Sequence, residues 1–126
     1  MLLNQKNKLK TWGNWDKAWT SFLCRMEFFR TIDRLRLESV IGDEEREKLH
    51  LDFEKVWLAL YRFPITEVIQ QRVSGSFPTI LGTLDAVHLS TAEKISGIEK
   101  SQIHFLTHDK QLARGAKVLG YKVTGL

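Results

Sequence analysis

Long apolar runs are missing from this sequence. The densest, Val56–Tyr61, falls far short of the roughly 20 residues that a membrane-spanning helix needs. The opening residues MLLNQKNKLK place no continuous apolar segment after their lysines, so no signal peptide is expected. A single cysteine, Cys24, excludes an internal disulfide and points to a reducing compartment, with a cytoplasmic location expected. There is no internal repeat, and the only Gly/Pro/Ser-rich stretch is Ser74–Thr79. Without a linker, the 126 residues are expected to form one domain, 1–126. Several catalytic signatures are also absent. There is no P-loop, no glycine fingerprint and no Ser–His–Asp arrangement, and His104 and His108 do not make a His-x-x-x-His helical pair.

What is present describes an ordinary folded chain. Apolar residues make up 43%, enough for a core, and 27% are charged, which argues against bulk disorder. Nineteen Lys and Arg against 15 Asp and Glu give a net charge of +4. Such a balance is compatible with a polyanionic partner without requiring one.

Residues Leu2–Lys10 read as the tail of a polar helix whose lysines form a solvated face. Gly13 and Asn14 mark a turn, and Trp12, Trp15 and Trp19 are candidate core or interface residues. Ala18–Phe22 is a short strand candidate. Leu23–Leu37 has helical spacing, with Phe22, Met26, Phe29 and Asp33 on one line and Phe28, Ile32 and Leu35 on another. Gly42 ends that segment. Asp43 is expected to cap a second helix, 44–61, whose apolar face holds Leu49, Phe53, Val56, Trp57 and Leu60, so that the pair forms a helical hairpin. Residues 63–65 (FPI) read as a strand. Thr66 caps a short helix to about Arg72, and Thr83 caps another to about Ser96, with Leu84, His88, Thr91, Ala92 and Ile95 along one side. Residues 103–107 (IHFLT) are the clearest strand. Asp109 caps a helix to Leu119, Gly120 is its C′ residue, and YKVTGL closes as a strand. This strand–helix–strand order implies parallel pairing and an α/β fold.

Three carboxylates fall where chemistry is possible. Ligands of open parallel sheets bind beyond the carboxyl ends of the strands, and Asp109 lies there. It is either a plain N-cap, worth about 1 kcal/mol, or a ligand. Asp85, in the first turn of its helix beside Leu84, Ala86 and Val87, is either a favourable charge at a helix terminus or a ligand. Glu27 shares a helical face with Arg30, Thr31 and Arg34. It is either half of an exposed Glu–Arg pair, or a cleft carboxylate with arginines placed for phosphates. Metal chemistry would unite the three, because carboxylates crowded together repel unless a cation such as Mg²⁺ or Mn²⁺ joins them. His88 lies three residues after Asp85. It reads as a satisfied core or surface histidine, although it could face the same cleft. Cys24 reads as a core thiol.

The stretch LGTLDAVHLSTAEKISG, followed by IHFLTHDKQLARGAKVLGYKVTGL, resembles the C-terminal half of PIN-domain proteins of the VapC toxin type. Thr83, Leu84, Asp85, Ala86, His88, Leu89, Thr91 and Ala92 carry the match, then Thr107, His108, Asp109, Leu112 and Ala113. Upstream, WTSFLCRMEFFRTIDRLRL resembles that family's strand and its helix of the form S-x-L-x-x-x-E-x-x-R, with Glu27 at the glutamate. The resemblance implies a parallel sheet with helices on both faces, and a Mg²⁺- or Mn²⁺-dependent endoribonuclease with an acidic cleft. Glu27, Asp85 and Asp109 would be catalytic metal ligands. Thr107 would support Asp109 by hydrogen bonding, and Arg30 and Arg34 are candidate RNA contacts. The implied partners are an RNA substrate and a cognate antitoxin, with a homodimer expected and no membrane.

One part of the pattern is not matched. The family opens with a hydrophobic–Asp–[Ser/Thr] strand at the sheet centre, and no Asp precedes Asp16, which lies in a turn. The expectation is a first central strand missing, one acid fewer, impaired cleavage and a tendency to associate. The alternative is a non-catalytic PIN remnant that binds an antitoxin or RNA, with the helices of Leu23–Tyr61 as a protein-binding surface.

Overall fold

A computed structural model describes residues 17–99 and 102–126. The readings of Leu2–Lys10, Trp12, Gly13, Asn14, Trp15 and Asp16 lie outside those residues. The described part is mixed α/β. It runs β1 (Trp19–Ser21), α1 (Leu23–Leu37), α2 (Asp43–Ala59), β2 (Tyr61–Phe63), α3 (Glu67–Val73), α4 (Thr83–Glu99), β3 (His104–Leu106), α5 (Lys110–Val118) and β4 (Lys122–Thr124). Among the described residues the strands form two separate parallel pairs, β1–β2 and β3–β4, instead of one sheet. The register aligns Thr20 with Arg62 and Phe105 with Val123.

The helical hairpin forms as its spacing predicts, but only one of the two expected lines on α1 faces inward. Phe28 and Ile32 are buried with Leu23 and Cys24, whereas Met26 is half exposed. Phe28 stacks on Phe53 with centroids 4.3 Å apart, and Phe53 stacks on Trp57 at 5.6 Å. This aromatic column joins α1 to α2. Arg25 closes its rim, with its guanidinium 4.8 Å from the Phe29 ring centroid and 2.6 Å from Glu54. Cys24 is buried in the same cluster, and burial pushes its thiol pKa up, so it packs as a small apolar group.

Several boundaries differ from the sequence reading. Asp43 is the first residue of α2, not its cap; Gly42 takes the cap position and makes no side-chain bond there. The helix stops at Ala59, because Tyr61 N–H donates to the Ala18 carbonyl at 2.8 Å and joins a strand instead. Consequently β2 lies at Tyr61–Phe63, not 63–65. Tertiary pairing with β1 decides this, since Tyr61 fits either helix or strand. Thr83 is likewise inside its helix, whose first bond runs from Ala86 N–H to the Gly82 carbonyl, and α4 continues past Ser96 to Glu99.

Two short helices match their local end signals. Thr66 caps α3, its hydroxyl accepting from Ile69 N–H at 3.3 Å. Asp109 caps α5. Gly120, at φ +92°, ends α5 as its C′ residue, with Gly120 N–H bonded to the Lys117 carbonyl and Tyr121 N–H to the Ala116 carbonyl. That left-handed conformation costs glycine nothing.

Helix α4 is the organising element. It packs against β1, α1, α3 and α5, and Ala86, Val87, Leu89, Ser90, Thr91, Ala92 and Ile95 are all buried. Its buried residues cover more than the one side expected, and Leu84, expected on that side, is exposed. Val87 joins the cluster with Leu23 and Ile69, and Leu89 the cluster with Leu112 and Ala116. No helix among the described residues is long and apolar enough to cross a membrane.

Candidate active site

The three carboxylates arise from three different elements. Glu27 lies in α1, which leaves β1 directly. The buried Ser21 hydroxyl accepts from Leu23 N–H at 3.1 Å and fixes that exit. Asp85 lies in the first turn of α4. Asp109 follows β3 and caps α5, its Oδ1 accepting from Leu112 N–H at 2.9 Å. Two of the three therefore sit at helix N-termini, where exposed N–H groups favour negative charge.

Their mutual influence is read from Asp85. Burial raises its pKa first, the neighbouring charge of Asp109 raises it further, His88 lowers it and Glu27 raises it. Asp85 thus feels both other carboxylates, although 24 residues separate it from Asp109 and 58 from Glu27 along the chain. Packing of α4 against α1 and α5 brings Asp85 within reach of both charges.

The Glu–Arg alternative for Glu27 is not what forms. Glu27 Oε1 lies 2.6 Å from His88 Nε2 on α4. Arg30 instead reaches Asp33 at 3.3 Å, and Arg36 reaches the same carboxylate at 3.0 Å. Arg34 is exposed. His88, read from sequence as a satisfied core or surface histidine, is satisfied by a carboxylate of the candidate site. Its three-residue spacing from Asp85 was the available signal, and only the α1–α4 contact supplies the partner.

Thr107 is almost fully buried at 1% exposure. Its hydroxyl accepts from Asp109 N–H at 3.1 Å, and its own N–H donates to the Thr124 carbonyl at 3.1 Å. Gly125 backs this turn. At φ +109°, a Cβ added there would lie 2.5 Å from the Thr107 carbonyl oxygen. Gly125→Ala is expected to cost about 2 kcal/mol, combining left-handed strain and a backbone clash. Thermal unfolding should show the lowered melting temperature. An unchanged midpoint would mean that the chain end does not brace the Thr107–Asp109 turn. His108 is exposed, and its Nδ1 contacts the Gly125 carbonyl; His104 is exposed on β3. Neither joins the carboxylates.

Among the described residues, no group of three His, Cys, Asp or Glu side chains is disposed to hold an ion alone. Mg²⁺ requires less than that, since it keeps several waters and usually takes one or two protein carboxylates. An all-oxygen set, with the charges of Asp109 and Glu27 both acting on Asp85, fits such a hard cation.

The chain is 30% identical over 122 residues to Ribonuclease VapC47 of Mycobacterium tuberculosis (strain CDC 1551 / Oshkosh), covering 93% of this chain and 81% of that protein. The chain belongs to the VapC family. No protein-family model matches it, and no solved structure does.

Proposed function

We propose that this chain is a metal-dependent endoribonuclease, the toxin of a VapBC-type toxin–antitoxin pair, of the PIN-domain type. The observation that carries the proposal is the similarity to a ribonuclease over most of the chain's length, and it is supported by the charges of Asp109 and Glu27 both acting on Asp85. These three carboxylates would hold Mg²⁺ or Mn²⁺. The bound cation would activate water and screen the charge of a phosphodiester. The chain's own contribution is positioning. Thr107 fixes the backbone of Asp109, and α4 presents Asp85 from a buried scaffold. Arg30, on the helix that carries Glu27, has a side chain 80% exposed, and with Arg34 it would meet RNA phosphates. A cognate antitoxin would be the protein partner.

A second reading has one observation in its favour. A chain that binds its partners without cutting RNA would need no ion-holding group, and none of three ligands is assembled among the described residues. The deciding experiment incubates the purified chain with a structured RNA, with Mn²⁺ and then with Mn²⁺ plus excess chelator. Cleavage that appears with the metal and disappears with the chelator is expected. RNA left intact under both conditions, with antitoxin binding retained, would establish the second reading.

A further inference from the structure

We infer that His88 is the positioning residue for Glu27, orienting its carboxylate toward the cation; the inference rests on the metal-dependent reading above. The His88 side chain is 10% exposed and is carried by α4 between Val87 and Leu89, which are themselves buried. It is therefore a rigid fixture. Glu27 is the opposite case: a long carboxylate side chain, 35% exposed, with rotamer freedom that must be lost before it can present an oxygen in a fixed direction. The 2.6 Å contact between His88 Nε2 and Glu27 Oε1 occupies one carboxylate oxygen and leaves Oε2 for a cation. Asp109 is anchored in the corresponding way, its Oδ1 held by Leu112 N–H while Oδ2 remains. Asp85 lies three residues before His88 on the same helix, so one turn of α4 bears both a proposed ligand and the group that orients another. Outer partners that fix a metal ligand in this way contribute about 10- to 100-fold in metal affinity.

The competing account is a plain interhelical contact that ties α1 to α4 and matters only for folding. Mn²⁺ titration of the RNA-free protein by electron paramagnetic resonance, paired with thermal unfolding, separates the two. His88→Ala is expected to weaken Mn²⁺ binding about 10- to 100-fold, and His88→Leu, which better fills the volume, serves if the alanine variant does not fold. His88→Gln, which keeps an N–H donor, should recover most of the affinity. In RNA cleavage kcat should fall while the KM for RNA holds. Glu27→Gln combined with His88→Ala should bind Mn²⁺ no more weakly than Glu27→Gln alone. Mn²⁺ affinity equal to that of the parent in His88→Ala or His88→Leu would overturn the inference alone, as would a loss that tracks the melting temperature and is not recovered by glutamine. A parent chain that neither binds Mn²⁺ nor cleaves RNA would overturn the ribonuclease reading and this inference together.

Discussion

Asp85→Asn and Asp109→Asn are each expected to lower Mn²⁺-dependent RNA cleavage by about 100- to 1,000-fold. A cation contributes several kcal/mol of charge stabilisation in a transition state, and each 1.4 kcal/mol is roughly tenfold in rate. The two variants are informative because asparagine spares the structural roles of these positions. At 109, asparagine caps a helix about as well as aspartate, so the bond from Leu112 N–H should persist and the fold should hold. At 85, the sign of the stability effect is opposite to that of an ordinary structural residue. Burial, Asp109 and Glu27 raise the Asp85 pKa, and His88 opposes them. A raised carboxyl contributes stability that is present below its unfolded pKa and is lost as pH rises through the folded value. At neutral pH the ionised group therefore costs the metal-free protein stability, and the neutral amide relieves it. Asp85→Asn should melt at the same temperature or higher while cleaving far less. A variant that melts lower and cleaves like the parent would assign Asp85 to structure and remove it from the site.

Phe53→Ala is the second large effect. Phe53 is 2% exposed and stacks between Phe28 and Trp57, with Phe29 edge-on at 5.2 Å. Phe-to-Ala changes in a core cost about 3–5 kcal/mol, a large share of the roughly 5–15 kcal/mol that holds a small domain folded. The melting temperature should fall by about 10 °C or more. Leu58→Ala is the control. It lies on the same helix at 74% exposure, and its expected change is within about 0.5 kcal/mol. Equal shifts for the two variants would mean that the aromatic column does not hold α1 to α2. The consequence reaches the site, because α1 carries Glu27.

Helix α1 was legible from sequence to the residue, from Leu23 to Leu37, because an amphipathic period of that length has no competitor. Asp109 and Gly120 were legible because cap chemistry acts within a few residues along the chain. Strand β2 was misplaced because its residues fit several conformations until β1 pairs with them. Leu84 was expected on the inward side of α4 and is exposed, because it stands in the first turn, ahead of the buried stretch that begins at Ala86.

The same division holds for the candidate site. The sequence by itself determined which carboxylates to consider, since Asp109 and Asp85 stand in helix first turns and Glu27 follows a strand by a fixed number of residues. It left the partner of Glu27 open between arginine and cleft. Only the tertiary structure decided that: the packing of α4 on α1 brings His88 to Glu27 across 61 residues, while Arg30 pairs within its own helix with Asp33. Caps and helical periods are local energies and are written in neighbouring residues. The choice of a carboxylate's partner is a contact between distant segments, made when buried faces such as those of Phe28, Ile32 and Val87 leave water.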